Sequence, residues 1–532
     1  MKKITILLLT AAAMASGCKR FTDINQNPNQ PLSVTPNVVL SAALNSSAGS
    51  LGTTFINVNE WMGYWSRSGN YIAVQSTEQY QLNTGYADGD FQNLYLTLSK
   101  YNYIEQTALA SPASLAFYAG VAKVMKAVHF ENLVDGFGNV PYSQAFNILK
   151  YPTPAYDNAQ TIYDNLVTQL DSSIYYFNAA ATYYATATAT VKSTDDKYDI
   201  MYGRGQNSPY ASRLAKWIAF SNTVKLKILM TESQVSGKSG YITSEIAKIT
   251  ANGGGFITAG NSAAVNPGYS TNSNAQVNPF YAIFYTSAGS PTPTQNFYRA
   301  NTYAVNFYNA TNDPARPYLV YTPLGNGTIG SNYDGDPSSL SNSSTSALGN
   351  PTVGGILFEP TQDQLIISDF ESLFLQAEAT LRGYLPGGAA TAETLVQQAI
   401  EQNFIYLQDN AGDADTYFTS NSTNPNVDVL ASVAQPIPAA TNADKTPGLQ
   451  AVMTQKWIAL NGINWFQAWT DYRRTQFPLS SVLSISHATT HVKNAIPYRE
   501  LYPQSEYDTN AKSIPTLANG AYTPLFWDTF EK

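Results

Sequence analysis

The stretch TPGLQAVMTQKWIALNGINWFQAWTDYRRTQFP, residues 446–478, sets the fold class. Proline has no N–H to donate and a fixed φ, so it suits the first turn of a helix and little else in one. Thr446 is therefore placed as the cap and Pro447 as the first helical residue. Asn461 and Gly462 stop that helix, because both tolerate the left-handed backbone that ends a helix. Trp465 begins a second helix, which must finish before Pro478. Trp457, Trp465 and Trp469 fall at helical spacing and read as core. The product is two helices joined by a short turn, an antiparallel pair.

Working outward, the same grammar recurs. In 368–387, SDFESLFLQAEATLRGYLPG, Ser368 is the N-cap, and Glu371, three residues on, can close a capping box. Phe370, Leu373, Phe374, Ala377 and Leu381 share one face, Gly383 suits the position just past the end, and Pro386 blocks continuation. TAETLVQQAIEQNFIYL follows at 391–407. Upstream, TIYDNLVTQLDSSIYYF (161–177) sets Ile162, Leu166, Leu170, Ile174 and Phe177 on one face. SRLAKWIAFSNTVKLKILM (212–230) does the same through Leu214, Trp217, Ile218, Val224, Ile228 and Leu229. A stack of tetratricopeptide-like helix pairs fits, although no clean 34-residue repeat is present. Between the two helical regions, from about 250 to 360, the periodicity fades into Gly-, Pro- and Asn-rich turns. Long ordered loops are usually functional.

The N-terminus reads as an export signal. Lys2 and Lys3 precede an apolar run from Ile4 to Ala15, followed by small residues. That run is about a dozen residues, against roughly 20 for a membrane span. Ala15-Ser16-Gly17-Cys18 reads as a lipobox, with Ala where Leu is usual three residues before the cysteine. Cys18 is the only cysteine in 532 residues, and its thiol would carry a diacylglycerol anchor. Acyl chains contribute about 0.8 kcal/mol per buried CH₂ to membrane attachment. The Asn- and Pro-rich residues 25–31 then serve as a tether.

With no second cysteine there is no intramolecular disulfide and no thiolate metal site. The net charge of −8 and the lack of any Lys/Arg block argue against a nucleic-acid partner. Only 12% of residues are charged, about half the usual share. The polar surface is therefore largely Asn, Ser, Thr, Gln and Tyr, which suits neutral polar ligands.

Catalytic motifs are missing. There is no G-x-S-x-G elbow and no phosphate-binding loop. His129, in HFENL, lacks the second histidine of a zinc helix. His487 and His491, four apart, lack a third ligand. DGFGN (135–139) and DGDPSS (334–339) lack the bidentate glutamate of a calcium loop and read as turns. Arg473 and Arg474 beside Asp471 read as a structural ion pair at a helix end. A glycosidase carboxylate pair is defined by distance in space, so spacing along the chain cannot identify one.

Seven stretches, in order, carry a family resemblance: Cys18 followed by DINQNPNQP (23–31), DGFGNVPYSQAF (135–146), YDNLVTQLDSSI (163–174), KWIAFSNTVKLKILM (216–230), FLQAEATLRGYLPG (374–387), MTQKWIALNGINWFQAWTDYRRTQFP (453–478) and IPYRELYPQSEY (496–507). The chain resembles the SusD/RagB-like nutrient-binding outer-membrane lipoproteins, in the branch called SusD-like 2. It departs at Ala15, and at Lys227, where the family often has Arg. The resemblance implies a mainly α fold, a tetratricopeptide-like helical-pair scaffold with a large irregular portion that carries the ligand. It implies a lipid-anchored protein at the cell outer membrane, usually facing outward. It also implies a partner, a SusC-like TonB-dependent β-barrel transporter that the lipoprotein covers as a lid. No cofactor is expected. The expected layout is a signal peptide at 1–17, a lipidated tether at 18–35, and one domain at 36–532. Within that domain, 36–249 and 366–480 are helical, 250–365 is loop-rich, and 481–532 is a C-terminal strap.

Sugars present apolar C–H faces and polar edges. Rings cover the faces, and amides or carboxylates bond the hydroxyls. Two segments outside the helices offer both, 59–90 and 266–299. From them we single out Trp65, Tyr71, Tyr86, Tyr269 and Tyr298 as exposed rings, with Asn83 and Asn296 as bonding partners, and expect the two segments to meet in space. A ring packed in the core would meet the same pattern, Trp61 and Trp65 most of all. The reading is a non-enzymatic oligosaccharide-binding lipoprotein. An oligopeptide binder of the same uptake system and a surface glycoside hydrolase are the alternatives.

Overall fold

The computed structural model describes residues 34–71, 76–78, 80–203, 210–324, 327–332, 346–349, 355–479 and 495–530. Cys18, the signal and most of the tether, the 334–339 turn, and His487 and His491 lie outside the described residues. No helix among the described residues is long and apolar enough to cross a membrane.

Among the described residues, ten longer helices form the scaffold: α1 (Pro36–Thr53), α2 (Asp88–Leu109), α3 (Pro112–Phe137), α4 (Ala159–Thr186), α5 (Tyr210–Thr231), α6 (Ser239–Asn252), α7 (Asp369–Leu381), α8 (Gly388–Tyr406), α9 (Leu449–Ala459) and α10 (Trp465–Thr475). They pack mainly as successive pairs, α1 on α2, α2 on α3, α3 on α4 and α7 on α8. Helix α5 packs on both α4 and α7 and joins the two helical regions. The fold is mainly α, as the periodicity requires.

The 161–177 face is buried as the pattern predicts, from Ile162 to Phe177. Helix α3 goes further. Every residue from Ala116 to Phe137 except Lys126 is buried, so α3 is the central rod, surrounded on all sides. Ser368 Oγ accepts from Glu371 N at 3.1 Å as the α7 cap. Gly383 takes φ 77° just past the end of that helix. The start of α9 corrects the sequence reading. The helix begins at Leu449 after Gly448 (φ 85°), not at Pro447. Asp444 Oδ1 accepts from both the N–H and the hydroxyl of Thr446, which makes 444–448 a turn rather than a cap.

Among the described residues, eight short strands lie in four antiparallel pairs. They are β1 (Trp65–Arg67), β2 (Val140–Pro141), β3 (Tyr156–Asp157), β4 (Ala263–Val265), β5 (Tyr298–Ala300), β6 (Tyr321–Pro323), β7 (Ser346–Leu348) and β8 (Gln364–Ile367). The pairs are β1–β5, β2–β3, β4–β8 and β6–β7. The 250–365 region is thus less irregular than expected. It also holds short helices at Pro279–Phe284, Pro293–Phe297, Thr302–Ala310 and Arg316–Val320. Asn278, Thr292 and Asn301 cap three of them by accepting backbone N–H groups. One or two turns are too short to show a 3.6-residue period, but their caps do the work that periodicity does elsewhere.

Candidate functional site

The two segments singled out from the sequence meet through β1 and β5. Trp65 pairs with Ala300, Ser66 with Arg299, and Arg67 with Tyr298. Ser66 Oγ donates to Ala300 O, and Asn301 Nδ2 donates to Trp65 O at 3.1 Å. The chain leaving β1 is pinned by a buried ion pair, Arg67 Nε to Glu78 Oε1 at 2.8 Å. Arg67 also donates to the carbonyl of Tyr71. Ser68 N donates to Phe297 O at 2.7 Å, and Tyr71 N to Ser68 O at 3.0 Å.

These bonds place Tyr71 against Phe297, ring centroids 5.0 Å apart and edge to face. Both rings are half-buried, while Asn70 and Asn296 beside them are exposed. The Asn70 and Asn296 side-chain amides have no protein partner among the described residues. Two partly open rings flanked by open amides form a neutral ledge suited to a sugar. Phe297 and Asn70 were not among the residues picked from the sequence. Phe297 ends a five-residue helix, and nothing in one turn of helix signals which of Phe297 and Tyr298 turns inward.

Trp65 and Tyr298 are corrected. Both were expected as exposed rings, and both are buried. Trp65 is fully enclosed, 5.1 Å from Tyr298, 5.6 Å from Phe284 and 6.0 Å from Trp465. A three-residue strand that turns its first side chain into a mainly helical body delivers that side chain to the core. Tyr86 is half-buried, with its hydroxyl facing inward. Burial pushes its phenol well above the ordinary value, and the Glu500 carboxylate and Tyr298 add to this. Asn83 is exposed, but its Oδ1 accepts from Gly85 N at 2.9 Å, so its carbonyl is spent on a turn. Tyr269 sits on the loop after β4, which Asn266 ties to Asp363 Oδ1 at 2.8 Å.

That loop borders a cavity of about 470 Å³ lined by Phe358, Glu359, Asp363, Asp369 and Tyr406. Two of its acids are engaged in structure. Asp369 accepts from Gly260 N and Ser262 Oγ, and Asp363 from Asn266. Two carboxyls with raised values, Glu500 and Asp90, lie deeper in the protein. Burial, with the Asp90 carboxylate adding and Arg473 opposing, pushes Glu500 up to about 8. Burial pushes Asp90 up to about 6, against the Phe55 N–H.

The remaining candidates from the sequence are structural. His129 is buried, its Nε2 is 2.8 Å from Ser47 Oγ, and burial brings its pKa down to about 3. Arg474 forks onto Glu378 at 2.5 and 2.7 Å and also reaches Asp471. Arg473 donates to the carbonyls of Asp135 and Tyr498.

A family model described as starch-binding associating with outer membrane, SusD-like, matches residues 28–503. No curated protein matches the chain in sequence. Among solved structures, the chain is similar to a chitin-binding SusD homolog from Flavobacterium johnsoniae, with TM-score 0.69, 19% identity, and coverage of 92% of this chain and 98% of that one. A SusD-like protein from Bacteroides thetaiotaomicron gives TM-score 0.65 at 21% identity, covering 93% and 98%. A SusD homolog from Bacteroides fragilis gives 0.68 at 19%, covering 93% and 99%. Identities this low carry the fold alone.

Proposed function

Because the chain belongs to the SusD-like family of starch-binding proteins that associate with the outer membrane, we propose that it is a non-enzymatic lipoprotein that binds oligosaccharides and passes them to a SusC-like TonB-dependent β-barrel transporter. In this reading Cys18 carries the lipid, residues 18–35 are the tether, and the ligand lies on the Tyr71–Phe297 ledge. The single observation that carries it is the β1–β5 pairing, which brings two aromatic- and amide-rich segments together and leaves two rings and two amides open. A neutral sugar offers no charge, and each hydrogen bond nets only about 0.5–1.5 kcal/mol after exchange with water. Rings covering C–H faces must supply much of the rest.

The test is calorimetry of the full chain with neutral oligosaccharides. N-acetylglucosamine oligomers come first, because a structural neighbour is chitin-binding. Binding without turnover, lost in Tyr71→Ala and Phe297→Ala, supports the reading. Hydrolysis of the panel, or binding of oligopeptides alone, contradicts it. For the anchor, Cys18→Ala should leave the membrane fraction, and a variant that stays there at high salt contradicts lipidation.

A further inference from the structure

A second cavity lies away from the loop-rich face, among the helices. It measures about 570 Å³ and lies between α2, α3 and α4 under the 142–147 loop, within the roughly 300–1,000 Å³ range of small-molecule sites. Its charged lining consists of Glu105, Lys123 and Lys126. Lys126 is the one residue of Ala116–Phe137 that is not buried, because its side chain opens to this space.

The three charges are arranged unequally. Lys126 Nζ lies 2.6 Å from Glu105 Oε2, and Lys123 Nζ lies 2.8 Å from Glu105 Oε1. Burial pushes Glu105 up, but Lys126 and Lys123 together outweigh it and hold the carboxyl below its usual value. One carboxylate thus serves two ammoniums, and the cavity keeps one net positive charge inside a chain of net charge −8. Each ammonium has three protons. Lys123 places two, on Glu105 and on Gln169 Oε1 at 2.7 Å. Lys126 places two, on Glu105 and on Asn102 Oδ1 at 3.3 Å. The third Lys123 donor has only the Tyr176 ring nearby, 5.9 Å from the ammonium. One donor remains on Lys126, and the amide NH₂ groups of Asn102 and Gln169, whose carbonyls are the ones engaged, remain as well. A partly buried cation is costly without a counter-charge, and this fold supplies half of what two lysines need.

The wall beside the lysines is aromatic. Phe130 and Tyr142 meet edge to face at 4.6 Å, and Phe146 stands 6.3 Å from Phe130. Phe146 holds φ 65°, a left-handed backbone that a bulky residue adopts only when its surroundings demand it. That conformation sets its ring as the wall of the cavity.

From the surplus charge, the unused donors and the ring wall, we propose that this cavity is a second binding site, for a sugar unit bearing a carboxylate, a uronic-acid type of ligand. The carboxylate bridges the spare donors of Lys123 and Lys126. The hydroxyls meet Asn102, Gln106, Asn147 and Gln169, and the ring's C–H face rests on the half-buried Phe146, which Phe130 backs from the core. The site is separate from the Tyr71–Phe297 ledge and does not depend on it.

The test is calorimetry of the full chain in detergent at pH 7 and low salt, with D-glucuronate, D-glucose and acetate as probes. Glucuronate should bind at least about tenfold more tightly than glucose or acetate, a difference of about 1.4 kcal/mol, and its affinity should fall as salt is added. Lys126→Gln should lose about tenfold for glucuronate, whereas Lys126→Arg, which keeps the charge, should retain most of the binding. Lys126 is not a core residue, so both variants should fold, and an unchanged unfolding midpoint checks this. Glucose binding as tightly as glucuronate, acetate binding as tightly as glucuronate, no heat from any probe, or Lys126→Gln binding normally would each overturn the proposal. Neutral oligosaccharides run beside these probes separate the two sites. Their binding should be untouched by Lys126→Gln and lost in Tyr71→Ala.

Discussion

Between α7 and α10, Arg474 forks onto Glu378, Arg382 binds both Glu378 and Asp444, and Lys456 binds Asp471 at 2.8 Å, all nearly sealed from water. At the β1–β5 junction one such pair, Arg67–Glu78, pins the chain. The turns around it are set instead by neutral groups: Asn278, Thr292 and Asn301 as caps, Asn266 as a tie, Ser68 as a turn. The helical region thus uses its scarce charges inside, where they fix helix against helix. The loop-rich region has one more sealed pair, Arg316–Asp313 at 2.6 Å, but most of its turns are held by amides and hydroxyls, and further amides are left open. The network around Arg474 is a poor place to accept a ligand, because its acids and bases already face one another, unlike the two lysines that share Glu105. A face of neutral turn-formers can offer the same chemistry to a sugar at no cost to its frame.

The comparison breaks first where the network is cut. Glu378→Gln removes the charge that faces Arg474 and Arg382. Breaking a buried pair in this way costs about 3–5 kcal/mol, read as a lower midpoint in urea unfolding. A change within error would mean that the network does not hold the helices. Trp65→Ala should cost a comparable amount, about 3–5 kcal/mol, as a core cavity. If that variant unfolds like the parent yet loses ligand, Trp65 is a platform after all.

A smaller effect separates paired from unpaired acids. Glu500 and Asp90 have folded-state values raised by burial, to about 8 and about 6. The folded state therefore holds their protons more tightly than the unfolded chain does. The stability this contributes is complete below about pH 4 and is lost as pH rises through 6 and then 8. Glu378, Asp444 and Asp471 are held below their ordinary values by neighbouring Arg and Lys, against burial. They work in the opposite direction, at acid pH. Glu500→Gln should stabilise the protein at pH 8 and make little difference near pH 4, by thermal unfolding in matched buffers. An equal effect at both pH values would contradict the burial argument. Smaller again is Ser368→Ala, which removes the α7 cap for about 1 kcal/mol. A loss near zero would mean that the bond at 3.1 Å carries no weight.

The helices were legible because their signals are local. Ser368, Gly383, Asn461-Gly462 and the 162–177 face each state a boundary or a buried side within a few residues. The start of α9 was misplaced by two residues because Thr446-Pro447 fits a cap and a turn equally well, and Asp444 decides between them. The β1–β5 junction was legible only in outline. Composition pointed to both segments, but partners more than 230 residues apart and three residues long have no alternation to read. Whether an aromatic in such a segment turns in or out depends on what packs behind it. Trp65 meets Phe284, Trp465 and Tyr298 and goes in, whereas Tyr71 meets Phe297 at the edge, and Phe297 leans on Tyr298 with its other side.

The most direct test of this account uses the change that should disturb the fold least. Tyr71→Ala and Phe297→Ala should unfold close to the parent midpoint. Each should bind the best neutral oligosaccharide about one to two decades more weakly, because a well-covered ring contributes roughly 1.5–3 kcal/mol. Calorimetry of both variants beside the parent, with the folded fraction checked by circular dichroism, gives the answer. Folded variants with weakened binding place the ligand on the loop-rich face. Folded variants that bind as tightly as the parent would contradict the assignment of ligand to that face.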